Sequence, residues 1–189
     1  MERFRTLKAD EIEVKVSRVV QYGDAPPKGV TYLLYKTART DMDLLDEGVG
    51  PENWTDDYKE IKGNLYCGIG IWSDARGEFI WKWDCGIESR QDGDGNEKKG
   101  EASDAFKRAG FRWGIGRELY TAPEIFVPAE KLKMKQNQKT RKWATYDKLY
   151  VEKIKYDDQR RICALAIKNA SNGKRGFVWQ EENNEAAGN

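Results

Sequence analysis

The chain has 189 residues, a length that suggests one domain, or one domain plus a flexible extension. Charged residues make up 34% and hydrophobic residues 39%, which is typical of a globular protein with a charged surface. It contains no histidine, which excludes nucleophilic triads and metal sites that depend on imidazole. Its three cysteines are far apart and form no CxxC pair, and no GxxxxGK[ST] loop occurs, so neither a zinc ribbon nor a phosphate-loop ATPase is predicted.

The first predicted element is a β-hairpin. In IEVKVSRVV (12–20) apolar and polar residues alternate, which predicts a strand that buries Ile12, Val14 and Val16 on one face. The turn-rich GDAPPKG (23–29) follows, and VTYLLYKTA (30–38) is rich in β-branched and aromatic residues. We therefore expect the second segment to return antiparallel to the first.

A short helix and a three-stranded meander are predicted next. RTDMDLLDEGVG (39–50) places Met42, Leu45 and Val49 at helical spacing and ends in glycines. The strand candidates after it are separated by the turn sequences KGN (62–64) and DARG (74–77). Aromatic residues of strands usually pack in a core, so four tryptophans are expected mainly inside: Trp72, Trp81, Trp83 and Trp113.

The segment KGEASDAFKRAGFRWGIGRELY (99–120) predicts a longer helix. Phe111, Ile115 and Leu119 form one apolar series, whereas Gly114 and Gly116 indicate a helix end or a close backbone contact. A second apolar stripe, at the spacing i, i+3, i+4, i+7, can pack against a sheet and consists of Ala102, Ala105, Phe106, Ala109 and Trp113.

Charge is segregated along the chain. On the helical wheel Lys98, Arg108 and Arg112 share a third side of the long helix, and Lys107 lies beside it. Residues 98–117 carry six basic and two acidic side chains, and residues 131–148 carry seven basic and one acidic. Residues 41–60 carry eight acidic side chains and one lysine. Such segregation gives the molecule a directional electrostatic field.

The C-terminal third is predicted in less detail. APEIFVP (122–128) is extended, and the basic AEKLKMKQNQKTRKW (129–143) is expected to be a mobile arm or loop. Residues 148–169 predict a hairpin that turns at Asp157–Asp158, with GFVWQ (176–180) as a further strand. The expected division is a core domain at 1–123, a C-terminal extension at 124–180 with a basic arm and a β-hairpin, and a disordered acidic tail at 181–189.

Cations beside aromatic rings favour single-stranded nucleic acid as a ligand, because Lys and Arg neutralise phosphates and aromatic rings stack on unpaired bases. A solvated helix face is the simpler explanation of the same pattern. Converging carboxylates would instead indicate a metal-dependent nuclease, with Glu13, Asp74, Glu78 and Asp84 as candidates. DGDGNE (92–97) begins like a calcium loop but lacks the required glycine and the final glutamate, so no metal site and no cofactor are predicted.

Three segments, VGPENWTDDYKEIKGNLYCGIGI, WKWDCGI and GEASDAFKRAGFRWGIGRELY, resemble the phage single-strand annealing proteins of the Sak type. That family is similar to the annealing domain of the eukaryotic Rad-fifty-two recombination and repair family. The likeness runs from about residue 10 to about residue 123, and SDAFKRA…WGIGRELY is its most specific part. It implies an α+β fold with a β-β-β-α core, in which a hairpin and a curved antiparallel sheet have a long helix packed behind them. Subunits of this kind assemble into a ring or a helical oligomer.

The resemblance also implies which residues contact DNA. The KR of DAFKRA implies Lys107 and Arg108, and the SR of the first strand implies Arg18. The segment KGVTY matches a family stretch whose tyrosine lines the DNA groove, which implies Tyr32 and Lys28.

Further DNA contacts are predicted on other grounds. The eukaryotic relatives use a lysine in a second, outer DNA site where this chain has Asn64, and Lys62 or Lys82 is the candidate replacement. The helical wheel, rather than the resemblance, adds Lys98, Lys99 and Arg112.

The expected function is ATP-independent binding of single-stranded DNA and annealing of complementary strands in phage or prophage recombination and double-strand break repair. No catalytic residue is expected, since annealing needs no bond to be broken.

The alternatives are a single-strand binder that protects DNA without annealing it, a metal-dependent nuclease, and a structural oligomer whose basic stripes pair with acidic neighbours. Expected partners are further copies of the chain, a host single-strand-binding protein or a phage exonuclease. No apolar run reaches the length of a signal or membrane-spanning segment, so we expect a protein of the bacterial host's cytoplasm with no membrane association.

Overall fold

The computed structural model describes residues 3–87 and 97–181, with side chains in the second range described from residue 100 onwards. These residues form a mixed α+β fold with antiparallel strand pairing and two α-helices, which confirms the α+β class that was predicted. The strands are β1 (Glu13–Val20), β2 (Gly29–Tyr35), β3 (Trp54–Ile61), β4 (Asn64–Ser73), β5 (Glu78–Cys85), β6 (Ile125–Pro128), β7 (Met134–Gln136), β8 (Trp143–Thr145), β9 (Leu149–Tyr156), β10 (Ile162–Asn169) and β11 (Arg175–Gln180). The helices are α1 (Ala38–Val49) and α2 (Glu97–Trp113).

The chain forms two compact units that are interleaved along the sequence. The first unit comprises Met1–Thr6 and Lys36–Arg117, and the second comprises Leu7–Tyr35 and Glu118–Asn189. The predicted division at residue 123 follows the sequence resemblance and differs from this arrangement. The reason is strand pairing, because the β1–β2 hairpin joins a sheet with C-terminal strands instead of the β3–β5 meander.

The first unit contains the predicted meander, with strand order β3-β4-β5. Lys62 and Gly63 both have positive φ (54° and 75°) and connect the paired residues Ile61 and Asn64, as a tight two-residue hairpin turn requires. The second turn places Gly77 at φ 67°, where its N–H donates to the Ser73 carbonyl oxygen. Both predicted turns are therefore confirmed.

Helix α2 packs on β4 and β5. The centre of its predicted apolar stripe, Ala105, Phe106 and Ala109, is at most 1% exposed. The helix ends at Trp113 because Gly114 follows in a left-handed conformation at φ 101°. The other predicted series is wrong as a helix face, since Ile115 and Leu119 lie beyond this end.

Helix α1 begins where the Thr37 side chain accepts a hydrogen bond from the Thr40 N–H, and it ends at Gly50 with φ 87°. The predicted helix is confirmed, but its buried face is not the expected one. Leu44 and Leu45 are buried, whereas Met42 is 39% exposed.

A buried ion pair ties α1 to α2 within the first unit. Lys36, directly after β2, donates to both carboxylate oxygens of Asp41 in α1, and both side chains are at most 1% exposed. Lys36 Nζ also donates to the Lys107 carbonyl oxygen (3.1 Å) and lies 4.2 Å from the centroid of the Phe111 ring. Burial raises the pKa of Asp41 to about 7, although the charge and hydrogen bond of Lys36 act in the opposite direction. The α2 backbone is close to the pair at Gly110, where a Cβ would lie 2.6 Å from Asp41 Oδ2.

Aromatic side chains form a ladder on one face of the meander. Trp81 and Trp83 stack with ring centroids 5.7 Å apart, and each lies over a glycine of β4. A Cβ on Gly68 would lie 2.5 Å from the Trp83 ring, and one on Gly70 would lie 2.9 Å from the Trp81 ring. Trp72 and Trp81 are each 38% exposed, so the prediction that they lie in the core is wrong. The two glycines allow the indoles to lie flat on the sheet instead of inserting into the core.

The second unit contains a six-stranded antiparallel sheet with strand order β11-β10-β9-β1-β2-β6. The predicted β1–β2, β9–β10 and β11 elements are confirmed, as is the extended β6. Val16 was expected on a buried face but is 48% exposed. The register of β1 shifts between Val16 and Arg18, and such a bulge interrupts the alternation of faces.

The basic segment after β6 is partly ordered. Strand β7 lies within the stretch predicted as a mobile arm or loop (129–143) and pairs antiparallel with β8, which begins at its last residue. The prediction is therefore wrong over β7. Their pairing brings the basic residues of this stretch onto a two-stranded hairpin.

Candidate nucleic-acid interface

The structure divides the predicted DNA-contacting residues between the two units. Lys82, Arg108 and Arg112 come together in the first unit, and Lys107 lies nearby on another side of α2. The residues of the second unit are Arg18, Lys28 and Tyr32. The side chains of Lys98 and Lys99 lie outside the described residues.

Arg108 and Arg112 are one helical turn apart on α2 and share a carboxylate on β5. Arg112 Nε lies 2.9 Å from Asp84 Oδ2, and Arg108 Nε lies 3.4 Å from Asp84 Oδ1. Burial alone would raise the pKa of Asp84, but hydrogen bonds from Arg112 and from the Cys85 N–H hold it below its usual value. Asp84 is therefore ionised at neutral pH and fixes both guanidinium groups on one side of the helix.

Lys82 joins this group because it lies two residues before Asp84 on the same face of β5. Its Nζ donates to the Arg112 carbonyl oxygen (3.0 Å) and lies 4.1 Å from the Trp113 ring centroid. Burial, followed by the charges of Arg117 and Arg3, lowers the pKa of Lys82. Burial is the larger cause of this shift, and the smaller contribution of the two arginines reflects the positive charge that they place near Lys82.

Two further cations belong to the same group. Arg117 Nη2 donates to the Arg112 carbonyl oxygen (2.8 Å), and the guanidinium carbon of Arg3 lies 5.8 Å from the Trp113 ring centroid. We call Arg3, Lys82, Arg108, Arg112 and Arg117 the α2 cationic cluster. Sequence reasoning missed Arg3 and Arg117. The proximity of Arg117 to the end of the helix was a usable signal, whereas nothing in the sequence places Arg3 beside Trp113.

The cluster stabilises the fold and leaves charge available at the surface. Lys82 and Arg117 satisfy carbonyl groups at the C-terminal end of α2, where cations also interact favourably with the helix dipole. The cluster contains five cations, and only Arg108 and Arg112 pair with the carboxylate of Asp84, so a net positive charge remains. The side chains of Arg112 and Arg108 are 56% and 40% exposed. A phosphate group can therefore reach both guanidinium groups from solvent.

Among the predicted DNA contacts of the first unit, Lys107 is poorly placed to bind a phosphate. Its Nζ lies 3.9 Å from Asp104 Oδ1 and its side chain is 21% exposed. It precedes Arg108 by one position on the helix and so points away from Asp84. The structure therefore does not bring Lys107 into the α2 cationic cluster.

The hairpin residues of the second unit differ in accessibility. Arg18 and Lys28 are exposed, and Lys28 Nζ lies 4.7 Å from the Tyr22 ring centroid. Tyr32 is only 3% exposed, and its hydroxyl has no hydrogen-bond partner among the described residues. Burial, followed by the charge of Asp147, raises the pKa of Tyr32 to about 12. The prediction that Tyr32 lines a DNA groove is wrong for this conformation, because its ring is inside the sheet packing.

The carboxylates considered for a nuclease do not converge in the described residues. Asp84 is bound by arginines, Glu13 pairs with Lys15, and Asp74 accepts a hydrogen bond from Trp72 Nε1. No group of three or more acidic or cysteine side chains suited to a metal ion occurs in residues 3–87 and 97–181. The DGDGNE motif (92–97) lies outside the side chains that the structure describes.

Comparison of the chain with family models, with curated proteins and with solved structures gives no match. Within the described part of the chain, neither helix combines the length and the apolarity needed to cross a bilayer. With no matching protein, a function can be inferred only from the geometry and charge of the described side chains.

Proposed function

We propose that this protein binds single-stranded DNA and anneals complementary strands without hydrolysing a nucleotide. The observation that carries the proposal is the α2 cationic cluster, in which Arg108 and Arg112 share the carboxylate of Asp84. Lys82 and Arg3 of the same cluster lie against the Trp113 ring. Exposed guanidinium groups neutralise phosphates, and this interaction supplies most of the affinity for a strand of any sequence. The resemblance to the phage annealing family supports the same ligand.

In this scheme the protein breaks no covalent bond during annealing. It only holds one strand so that its bases can pair with a second strand. Arg108 and Arg112 would hold the sugar–phosphate chain, and bases that remain unpaired would be free to test a second strand. Pairing of complementary strands is downhill once both are presented, so no ATP is needed. We further propose that copies of the chain assemble into a ring or filament, which would present a long strand continuously during phage recombination in a bacterial host.

The first test compares Arg108→Gln/Arg112→Gln with a control, Arg39→Gln/Arg76→Gln. The control removes two exposed arginines of the same unit that are not members of the cluster. Affinity for a fluorescent oligothymidylate, measured by anisotropy over a range of salt, should fall only in the cluster variant. Its slope of log K against log salt should decrease by about 1.4, because each phosphate contact on a single strand contributes about 0.7.

A second variant predicts a change of opposite sign. Asp84→Asn removes the one carboxylate of the cluster and releases Arg108 and Arg112, so the affinity for the same oligonucleotide should rise. Tighter binding by a variant whose circular dichroism spectrum matches that of wild type cannot be ascribed to misfolding. Equal affinity of wild type, Asp84→Asn and Arg108→Gln/Arg112→Gln would contradict the assignment of the cluster.

The annealing step needs its own assay. Two complementary labelled oligonucleotides should pair faster with the protein than without it, in the absence of ATP and in the presence of EDTA. Binding without faster pairing would identify a protective single-strand binder, and magnesium-dependent cleavage would identify a nuclease. Absence of any binding would overturn the proposal.

A further inference from the structure

The second unit carries a separate concentration of positive charge on the β7–β8 hairpin. We call residues 131–148 the basic hairpin. Its seven basic side chains are all exposed: Lys131, Lys133, Lys135, Lys139, Arg141, Lys142 and Lys148. Its single acidic residue is Asp147.

These charges are not compensated by ion pairs. None of the seven cations forms an ion pair with a carboxylate among the described residues, in contrast to Arg108 and Arg112 at Asp84. Asp147 instead accepts hydrogen bonds from the Lys133 backbone N–H (2.8 Å) and the Asn169 side-chain amide (3.0 Å). Asp147 thus anchors the base of the hairpin to β10 and partly offsets the charge of Lys133. The cations nearer the tip face solvent.

The tip of the hairpin has a defined conformation. The Asn137 N–H donates to the Lys142 carbonyl oxygen (2.8 Å), and the Asn137 side-chain oxygen accepts from the backbone N–H groups of Lys139 (2.9 Å) and Thr140 (3.0 Å). Lys139, Arg141 and Lys142 are therefore presented from a preformed turn, which lowers the entropy lost when a ligand binds.

Arg141 occupies a backbone position that glycine would favour. Its φ is 58°, in the left-handed region that strains a residue with a Cβ. A long cationic side chain is thus held at the tip in a conformation that opposes stability.

An aromatic ring completes the surface. Tyr146 is 77% exposed, and Lys135 Nζ lies 5.9 Å from its ring centroid. An exposed ring beside free cations fits an unpaired nucleobase next to its phosphate. An acidic peptide would use the cations but not the ring, so the observations favour a nucleic-acid strand.

We propose that the basic hairpin binds the sugar–phosphate backbone of single-stranded nucleic acid, with Tyr146 stacking on a base. This surface is additional to the α2 cationic cluster, and it rests on the proposed function in that both bind the same class of ligand. Its residues belong to neither the family resemblance nor the helical wheel.

The test compares Lys139→Gln/Arg141→Gln/Lys142→Gln with a control, Lys153→Gln/Lys155→Gln/Lys174→Gln. The control removes three exposed lysines from the same unit. With oligothymidylate, the salt slope of the hairpin variant should fall by about 2, and its affinity should fall by up to about a hundredfold at 0.1 M salt and hardly at all at 1 M. The control should bind like wild type.

Two single variants distinguish the mechanism from misfolding. Tyr146→Ala should weaken binding by about tenfold with an unchanged salt slope, since stacking releases no counterion. Arg141→Gly should weaken binding while the melting temperature stays the same or rises, because glycine relieves the backbone strain.

The outcomes separate this inference from the proposed function. If wild type binds oligothymidylate and the hairpin triple variant binds equally well, this inference is overturned and the proposed function stands. If wild type does not bind the oligonucleotide, both are overturned. If the triple variant loses binding to polyglutamate but keeps binding to oligothymidylate, the hairpin serves an acidic protein and the inference is overturned.

Discussion

Replacing Gly110 with alanine should destabilise the first unit, although alanine is the better helix former. The new Cβ would lie 2.6 Å from Asp41 Oδ2 and 3.2 Å from Asp41 Cγ. Asp41 cannot move aside freely, because it is fully buried and held by Lys36. The substitution therefore forces either α2 or the ion pair from its position.

Two opposing effects determine the magnitude. The higher helix propensity of alanine stabilises by about 1 kcal/mol. Overpacking a buried site costs about 1–3 kcal/mol, and distorting a buried ion pair adds to this cost, since loss of one partner costs about 3–5 kcal/mol. We expect a net loss of about 1–2 kcal/mol in the free energy of unfolding, which lowers the melting temperature by about 2–8 °C for a chain of this size.

Gly100→Ala provides the matched control on the same helix. No atom lies within 4 Å of a Cβ placed there, so this variant should gain stability from propensity without a clash. Urea and thermal unfolding followed by circular dichroism would measure both variants. If Gly110→Ala is as stable as Gly100→Ala, the ion pair does not fix the position of α2 as argued.

Three further predictions concern stability and solubility. Burial places the folded pKa of Asp41 at about 7, above its unfolded value, so the folded state binds more protons and stability should fall as pH rises from about 4 to 7 and then level off. In urea unfolding at several pH values, Lys36→Met/Asp41→Leu should lose this dependence, and an unchanged slope would contradict it. Gly68→Ala should displace the Trp83 ring into solvent and shift tryptophan emission to longer wavelength, because the new Cβ would lie 2.5 Å from the indole; identical spectra would refute the flat packing. The fragment 1–123 should be less soluble than the full chain and precipitate at a lower protein concentration, since it lacks β6 and β9, and equal solubility would contradict the observed strand pairing.

Local features of the fold were predictable from the sequence. The Lys62–Gly63 turn and the helix ends at Gly50 and Gly114 depend on backbone conformations that glycine favours, and these signals lie within a few residues. Sheet membership was not predictable in the same way. Gly29 pairs with Pro128, about 100 residues away, and no local pattern specifies that partner.

The candidate site shows the same limit. Helical spacing alone placed Arg108 and Arg112 on one side of α2. It could not show that Asp84, on a strand more than 20 residues earlier, would lie between them. Met42 was misplaced because α1 buries the face that carries Asp41, Leu44 and Leu45, and apolar periodicity does not show that Asp41 is buried by pairing with Lys36. Val16 lies next to a bulge, which periodicity does not encode either.

The interleaving of the two units has a consequence for how the chain is made. Strand β2 leaves the ribosome about 90 residues before β6, which covers its open edge. At about 5–20 residues per second, the edge of β2 remains unpaired for about 5–20 seconds until β6 has been synthesised. Val30, buried in the finished sheet, is exposed for this interval, so a nascent-chain holdase that binds apolar strands should increase the yield of native protein.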